Sequence, residues 1–182
     1  RAASCLAPSF EPYASNYFET CRITGGIAEG LAFLEERTRQ HGGKDHGSWI
    51  TYAKALDLLS RSPEAAEVIE RAILSRPDDG MLALHAGRLM AGWGPDFRQR
   101  GIALIESSRG RVPETAWLWN RASVAGFTGE RIAAIRHLRA LIGIQPDHGE
   151  AWRQLARSIA EEEGTSVAIA LLRDAVARHP GS

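Results

Sequence analysis

Several features that define other classes of protein are scarce in this sequence of 182 residues. It contains only two cysteines, Cys5 and Cys21, which is too few for a disulfide framework. No apolar run approaches the roughly 18 residues that suggest a membrane span, so we expect no membrane insertion. The 22 basic and 22 acidic residues cancel, whereas a domain that holds phosphates usually carries a basic excess. We therefore expect no nucleic acid partner.

Motifs that carry catalysis are also missing from the sequence. Residues 42–44 (Gly-Gly-Lys) lack the upstream glycine of a phosphate-binding loop. The spacing of Cys5, Cys21, His41 and His46 matches no compact zinc module. No Ser/His/Asp grouping stands out. We predict that the chain is not an enzyme and that it has no catalytic, cofactor-binding or metal-binding residues.

The two cysteines do not determine the cellular compartment of the protein. A disulfide between Cys5 and Cys21 would form only in an oxidising compartment, such as the periplasm. A free Cys21 would instead behave as a small buried apolar residue, and this interpretation favours the cytoplasm. Lys44 and Lys54 are the only lysines, and such an arginine-rich composition is typical of a GC-rich, bacterial genome.

Prolines recur at a nearly constant interval along the chain. Pro77, Pro113, Pro146 and Pro180 are separated by 36, 33 and 34 residues. Each follows a helical stretch and ends it, because proline has no N–H and clashes with the preceding turn. An interval of this length predicts stacked repeats of one supersecondary unit.

Each proline is preceded by the same pattern of side chains. The positions twelve, eight and five residues before it hold a small residue, a large apolar residue, and a small or apolar residue. Steps of four and three place them on one face of an α-helix, where small residues allow close approach. These positions are Ala65, Ile69, Ala72, Gly101, Ile105, Ser108, Ala134, Leu138, Leu141, Ala168, Leu172 and Ala175.

A second amphipathic helix precedes each of these. Its stripe has the spacing i, i+3, i+4, i+7, which again follows one helix face. The two clearest copies are Trp49, Tyr52, Ala53 and Leu56, then Trp152, Leu155, Ala156 and Ile159. Weaker copies consist of Ala83, Ala86, Gly87 and Met90, and of Leu118, Arg121, Ala122 and Ala125.

This alternation resembles the tetratricopeptide repeat family, whose unit of about 34 residues pairs two antiparallel helices and ends near a proline. Gly101 and Ser108 depart from it, since the family usually has alanine there. A degenerate unit precedes the four clear ones, with Tyr17, Phe18 and Cys21 on the stripe of its first helix and Gly30, Leu34 and Arg37 on that of its second. The resemblance implies an all-α, right-handed superhelical solenoid of antiparallel helical hairpins. We expect an N-terminal extension (1–11), then repeats at about 12–45, 46–79, 80–115, 116–148 and 149–181.

The resemblance also implies that the first helix of each hairpin lines a concave binding surface. Residues one or five positions after the buried stripe position point away from the core by helical geometry. These positions predict a groove that has an apolar floor and basic side chains around it. Arginine side chains bind carboxylates through two parallel hydrogen bonds, so such a groove would bind acidic groups. The groove residues predicted in this way are Ile50, Lys54, Leu84, Arg88, Trp119, Ser123, Arg153 and Arg157, and His85, Asn120 and Phe127 should lie close to them.

Repeat arrays of this kind imply a protein–protein interaction module with an adaptor or scaffold role. The expected partner is a protein or peptide with acidic and apolar side chains. An alternative is the recruiting or regulatory segment of a larger enzyme such as a transferase. A further alternative concerns the C-terminal edge, because the last helix carries an apolar stripe with no covering helix. Either the natural chain continues past Ser182, or the protein self-associates through this edge.

Overall fold

The computed structural model describes residues 11–178, and this range contains ten α-helices and no strand. The predicted extension lies outside the described residues except for Glu11, which begins the first helix. The helices are α1 (Glu11–Ile23), α2 (Ile27–His41), α3 (Gly47–Leu58), α4 (Ser62–Ser75), α5 (Gly80–Gly92), α6 (Pro95–Ser108), α7 (Glu114–Phe127), α8 (Arg131–Ile144), α9 (Gly149–Glu162) and α10 (Thr165–Arg178).

Consecutive helices pair into five hairpins, α1–α2, α3–α4, α5–α6, α7–α8 and α9–α10. The first helices also pack side by side, as α1 on α3, α3 on α5, and α5 on α7. The second helix of each hairpin packs against the first helix of the next. This arrangement is an all-α solenoid of antiparallel helical hairpins, and it confirms the predicted fold class.

Local sequence explains where the helices begin and end. Pro63 and Pro95 occupy the first turns of α4 and α6, where a missing N–H costs nothing. Asp79 caps α5, because its carboxylate accepts a hydrogen bond of 2.9 Å from the Leu82 N–H. Gly129 turns the chain between α7 and α8 with a φ of 83°, a conformation that L side chains rarely adopt.

The core follows the predicted stripes closely. Ile69, Ile105, Leu138 and Leu155 are all nearly inaccessible to solvent, and the small residues of the pattern lie beside them. The equivalent Leu172 of α10 differs, since 37% of it is exposed. Leu138 is buried in a cluster that also contains α9 side chains, and no described helix takes that place beside α10.

Two glycines allow a close helix crossing between α5 and α6. A Cβ atom on Gly101 would lie 2.5 Å from both the Ala91 nitrogen and the Gly87 carbonyl oxygen. A Cβ on Gly87 would lie 2.5 Å from the Gly101 carbonyl oxygen. The departure from the repeat pattern at Gly101 therefore has a steric cause, because only glycine fits there.

A partly buried ion pair joins the first three helices. Arg37 of α2 is only 6% exposed, and its guanidinium donates to both carboxylate oxygens of Glu11 at 2.9 and 2.6 Å. Thr51 of α3 donates a further hydrogen bond to the same carboxylate. Nearby, Cys21 is a buried, free cysteine, whereas Cys5 lies outside the described residues. The Glu11 carboxylate thus connects α1, α2 and α3 in one polar contact.

Candidate peptide-binding groove

The first helices position a cavity of about 450 Å³ between α5, α7 and α9. We call it the groove cavity. Arg88 of α5 lies on one side, and α9 forms the other side through Gln154, Arg157, Ser158 and Glu161. The remaining lining residues come from α7 and the start of α8, namely Trp119, Ser123, Gly126, Phe127 and Arg131.

Five of the predicted groove residues line this cavity together. They are Arg88, Trp119, Ser123, Phe127 and Arg157, which come from three different helices. Their convergence follows from side-by-side stacking, since positions one and five residues after each stripe project from the same face of successive first helices. These five residues therefore bring two aromatic rings and two guanidinium groups together.

Trp119 is held in place by the cap of the next hairpin. Its ring lies against that of His148, with centroids 5.0 Å apart and planes inclined by 31°. His148 in turn accepts a hydrogen bond of 3.2 Å at Nδ1 from the Ala151 N–H at the start of α9. Phe127, by contrast, is 53% exposed. One aromatic wall is thus preorganised, and the other is open to solvent.

The arginines of the cavity differ in their partners. Arg131 donates to Glu161 at 3.0 Å, so its charge is compensated. Arg88 and Arg157 form no hydrogen bond or ion pair with any residue in the range 11–178. Both side chains are exposed, and they stand on helices either side of α7. The cavity consequently has an uncompensated positive charge on each wall.

The basic surface continues from Arg88 toward the N-terminal hairpins. His85 lies next to His46, with ring centroids 5.5 Å apart. Burial lowers the pKa of His85, and the charges of His46, Arg88 and Lys54 lower it further, while Asp79 opposes them. Lys54 and His85 were predicted for the groove, and they lie beside Arg88 outside the cavity itself.

Asp79 organises the polar groups behind these histidines. Burial would raise its pKa, but the Leu82 N–H and Arg76 hydrogen bonds, together with the charges of His46 and Arg76, hold it below its usual range. Arg76 lies 2.8 Å from the carboxylate, and His46 Nδ1 lies 3.2 Å from it. The α5 cap and the His46 ring are therefore fixed by one ionised carboxylate.

Acidification should destabilise the protein through His85 and His137. Burial is the main cause that lowers both pKa values, so the unfolded chain binds these protons at a higher pH than the folded chain. The free energy of unfolding should therefore fall as the pH drops below about 6.5, and this loss should end below the lowered folded-state pKa values. Denaturant titrations at about pH 8, 7, 6 and 5 measure the slope.

The paired substitution His85→Gln with His137→Gln removes both groups and should flatten the slope in this pH window. A double variant with the wild-type slope would show that other groups cause the pH dependence.

The structure corrects three of the predicted groove positions. Ile50, Leu84 and Asn120 are buried, so they offer no surface to a partner. The Asn120 amide donates to the Ala116 carbonyl within its own helix. Arg153 is exposed but lies outside the cavity and pairs with Glu150. The predicted apolar floor of Ile50 and Leu84 is therefore wrong, and the apolar surface of the cavity comes from Trp119 and Phe127.

The sequence analysis missed half of the cavity lining. Gln154 and Glu161 lie three residues before and four residues after the predicted Arg157, so helical spacing from Arg157 would have found them. Ser158 follows Gln154 by four residues on the same helix face. Gly126 has no side chain to attract notice, yet nothing lies within 4 Å of the place where a Cβ would be. Arg131 begins a second helix, a position that the rule based on first helices does not cover.

No group of three or more His, Cys, Asp or Glu side chains in residues 11–178 is arranged to hold a metal ion. None of the helices in that range has both the length and the apolarity to cross a bilayer.

Several solved structures share this architecture at low sequence identity. PilW, described as a widely conserved type IV pilus biogenesis factor, aligns with a TM-score of 0.64 and 15% identity over 92% of this chain and 77% of its own. A MamA fragment from Desulfovibrio magneticus RS-1 aligns with a TM-score of 0.60 and 15% identity over 94% of this chain and 97% of its own.

YrrB, described as a TPR protein with an unusual peptide-binding site, aligns with a TM-score of 0.56 and 14% identity over 99% of this chain and 92% of its own. No family model matches the sequence, and no curated protein matches it. At these identities the likeness concerns the fold, and the site must be judged from its own residues.

Proposed function

Because this chain has the fold of tetratricopeptide-repeat proteins, we propose that it is a protein–protein interaction module that binds a peptide or protein segment in the groove cavity. The preferred segment carries an acidic side chain close to an apolar one. Its role is that of an adaptor or scaffold, and the same recognition would serve a recruiting segment of a larger enzyme.

The observation that carries this proposal is the pair of uncompensated guanidinium groups around an aromatic wall. Arg88 and Arg157 have no acidic partner in the described chain, and Trp119 is fixed between them. A guanidinium binds a carboxylate through two parallel N–H···O bonds, and a fixed aromatic ring anchors an apolar side chain at low entropic cost. The two guanidinium groups therefore select an acidic side chain, and the Trp119 ring selects an apolar one.

A pair of matched peptide libraries tests the chemistry of the partner. One library holds 12-residue peptides with Asp or Glu next to Phe or Leu, and the other has Lys in place of each acidic residue. We expect the immobilised protein to retain the acidic library and to release it as salt screens the charges. Retention of the lysine library at the same level would contradict the proposed partner.

Charge reversal at the two free arginines should abolish retention of the acidic library. Arg88→Glu with Arg157→Glu replaces attraction on both walls with repulsion, whereas exposed substitutions of this kind usually change stability by about 0.5 kcal/mol or less. Arg153→Glu is the matched control, because it reverses an arginine of α9 that lies outside the cavity. Equal losses for the control and the double variant would remove the groove cavity from the proposal.

A second variant separates blocked binding from misfolding. Gly126→Leu adds a side chain to the cavity wall at a helical position with no atom within 4 Å. We expect weaker peptide retention and unchanged or higher stability, because replacing a helical glycine removes an entropic cost of about 0.5–1 kcal/mol. Loss of binding together with loss of stability would point to disruption of the fold.

The outer face of α10 supports a second proposal, which is self-association through this end of the solenoid. Ile169, Leu172 and Val176 are 45%, 37% and 69% exposed, and they follow the spacing i, i+3, i+7 along one helix face. We call these three residues the α10 stripe. An exposed apolar helix face of this length is typical of a surface that meets another protein.

A further inference from the structure

An apolar trough lies between the second helices of two neighbouring hairpins, α4 and α6. Its volume is about 520 Å³. Ile69 and Ile73 of α4, Leu104 of α6 and the buried Met90 of α5 form its inner surface, and Leu74 stands on its rim. Leu74 is 81% exposed, so a large apolar side chain stands in water beside an apolar depression. The trough is separate from the groove cavity, with which it shares no lining residue.

The chemistry of the trough favours a helical occupant. Its charged groups, Glu70 and Arg100, are paired with each other across the two helices. The Ser107 hydroxyl donates to the Leu104 carbonyl at 2.8 Å. An extended strand would bring backbone N–H and C=O groups that find no free partners on such a surface. A helix satisfies its own backbone hydrogen bonds and needs only apolar side chains to fill the trough.

We propose that the trough of one copy of this chain receives the α10 stripe of a second copy. The inference deepens the self-association proposed above and rests on it, since it names the surface that receives the stripe. Each chain then carries both halves of the interface, because no residue in the range 11–178 covers the α10 stripe or fills the trough.

Charge complementarity supports this pairing. Glu67 precedes Glu70 and Leu74 by three and seven residues, so it stands on the same rim of the trough. Arg173 lies between Ile169 and Val176 on the stripe. Neither Glu67 nor Arg173 forms an ion pair within residues 11–178, whereas Glu70 pairs with Arg100 and Asp174 pairs with Arg178. One unpaired carboxylate on the trough thus meets one unpaired guanidinium on the stripe.

The geometry of such a contact determines the kind of assembly. The trough and the stripe are different surfaces, so a single contact between them is heterologous, and it leaves one trough and one stripe free in an open dimer. Further copies can add at both ends unless the assembly closes into a ring. The protein should therefore grow beyond a dimer as its concentration rises.

Sedimentation of the full chain between about 10 µM and 1 mM tests this, a range that covers affinities of a small apolar interface. The wild type should increase in mass past the dimer. Leu74→Arg alters the trough, and Val176→Arg alters the stripe, both at exposed positions. Each variant alone should stay monomeric. Ile23→Arg, at an exposed apolar residue of α1, is the matched control and should assemble like the wild type.

An equimolar mixture of the two variants gives the sharpest result. The stripe of Leu74→Arg is intact and so is the trough of Val176→Arg, so the mixture should form a dimer and nothing larger. If Leu74→Arg assembles like the wild type while Val176→Arg does not, self-association holds and the trough is not its receptor. A wild type that stays monomeric throughout overturns both proposals and leaves the trough to a different partner.

Discussion

Replacing Arg37 with methionine should lower the free energy of unfolding by about 1–3 kcal/mol, because the Glu11 carboxylate, whose side chain is 24% exposed, loses its charged partner. The Glu11 carboxylate would keep its bond from Thr51 but lose both bonds from the guanidinium. Methionine fills much of the same volume, so the change tests the charge more than the packing. Denaturant titration measures the loss as a lower midpoint.

A second substitution separates the ion pair from the shape of the site. Glu11→Met added to Arg37→Met removes the uncompensated carboxylate, and it should recover part of the lost stability, because apolar replacements of a whole buried pair are often nearly neutral. Arg39→Met is the control, since Arg39 lies in the same helix and pairs with Glu36 at the surface. It should leave unfolding almost unchanged. A single variant as stable as this control would contradict a structural role for the Glu11–Arg37 contact.

The partner of Arg37 in this ion pair could not be predicted from the sequence. Periodicity placed Arg37 on the stripe of the degenerate first repeat, together with Gly30 and Leu34, and that stripe is buried. Nothing in a local pattern identifies the partner of a buried arginine. Glu11 lies 26 residues away and was assigned to the extension that precedes the first repeat. A pairing at that range becomes visible only when α1 and α2 are folded together.

Some predicted groove residues line the cavity and others are buried, and this difference also depends on tertiary packing. The rule that one stripe is buried and the next positions are exposed suits α7 and α9, each of which has a clear outer face. It fails for Leu84, because α5 packs against four helices, α3, α4, α6 and α7, and residues all around it are buried. Sequence spacing predicts well which face of a helix packs against its hairpin partner. How many neighbours surround that helix depends on its place in the stack.

The small residues of α5 and α6 were recognised as sites of close helix approach, and their spacing fits this. The sequence did not show that Gly101 tolerates nothing larger. The repeat pattern has alanine at that position, and helix propensity alone favours alanine over glycine by about 1 kcal/mol. The distance between two backbones decides the outcome, and that distance is a property of the folded hairpin.

Gly101→Ala should therefore destabilise the protein by about 1–3 kcal/mol, although it restores the residue usual in this repeat and improves the helix propensity. The new methyl group would lie 2.5 Å from backbone atoms of Ala91 and Gly87, which cannot rotate away, so α5 and α6 must move apart. Gly143→Ala is the matched control, since no atom lies within 4 Å of the added carbon.

The free energy of unfolding of Gly143→Ala should rise by about 0.4–1 kcal/mol, because alanine lowers the conformational entropy of the unfolded chain. The two glycine variants thus change the free energy of unfolding in opposite directions for the same chemical substitution. Hydrogen exchange locates the effect, because loss of protection in Gly101→Ala should concentrate in α5 and α6, where each hairpin of a solenoid depends on its neighbours. If Gly101→Ala is as stable as Gly143→Ala, the two helices do not cross as closely as the structure shows, and the steric explanation for glycine at this position fails.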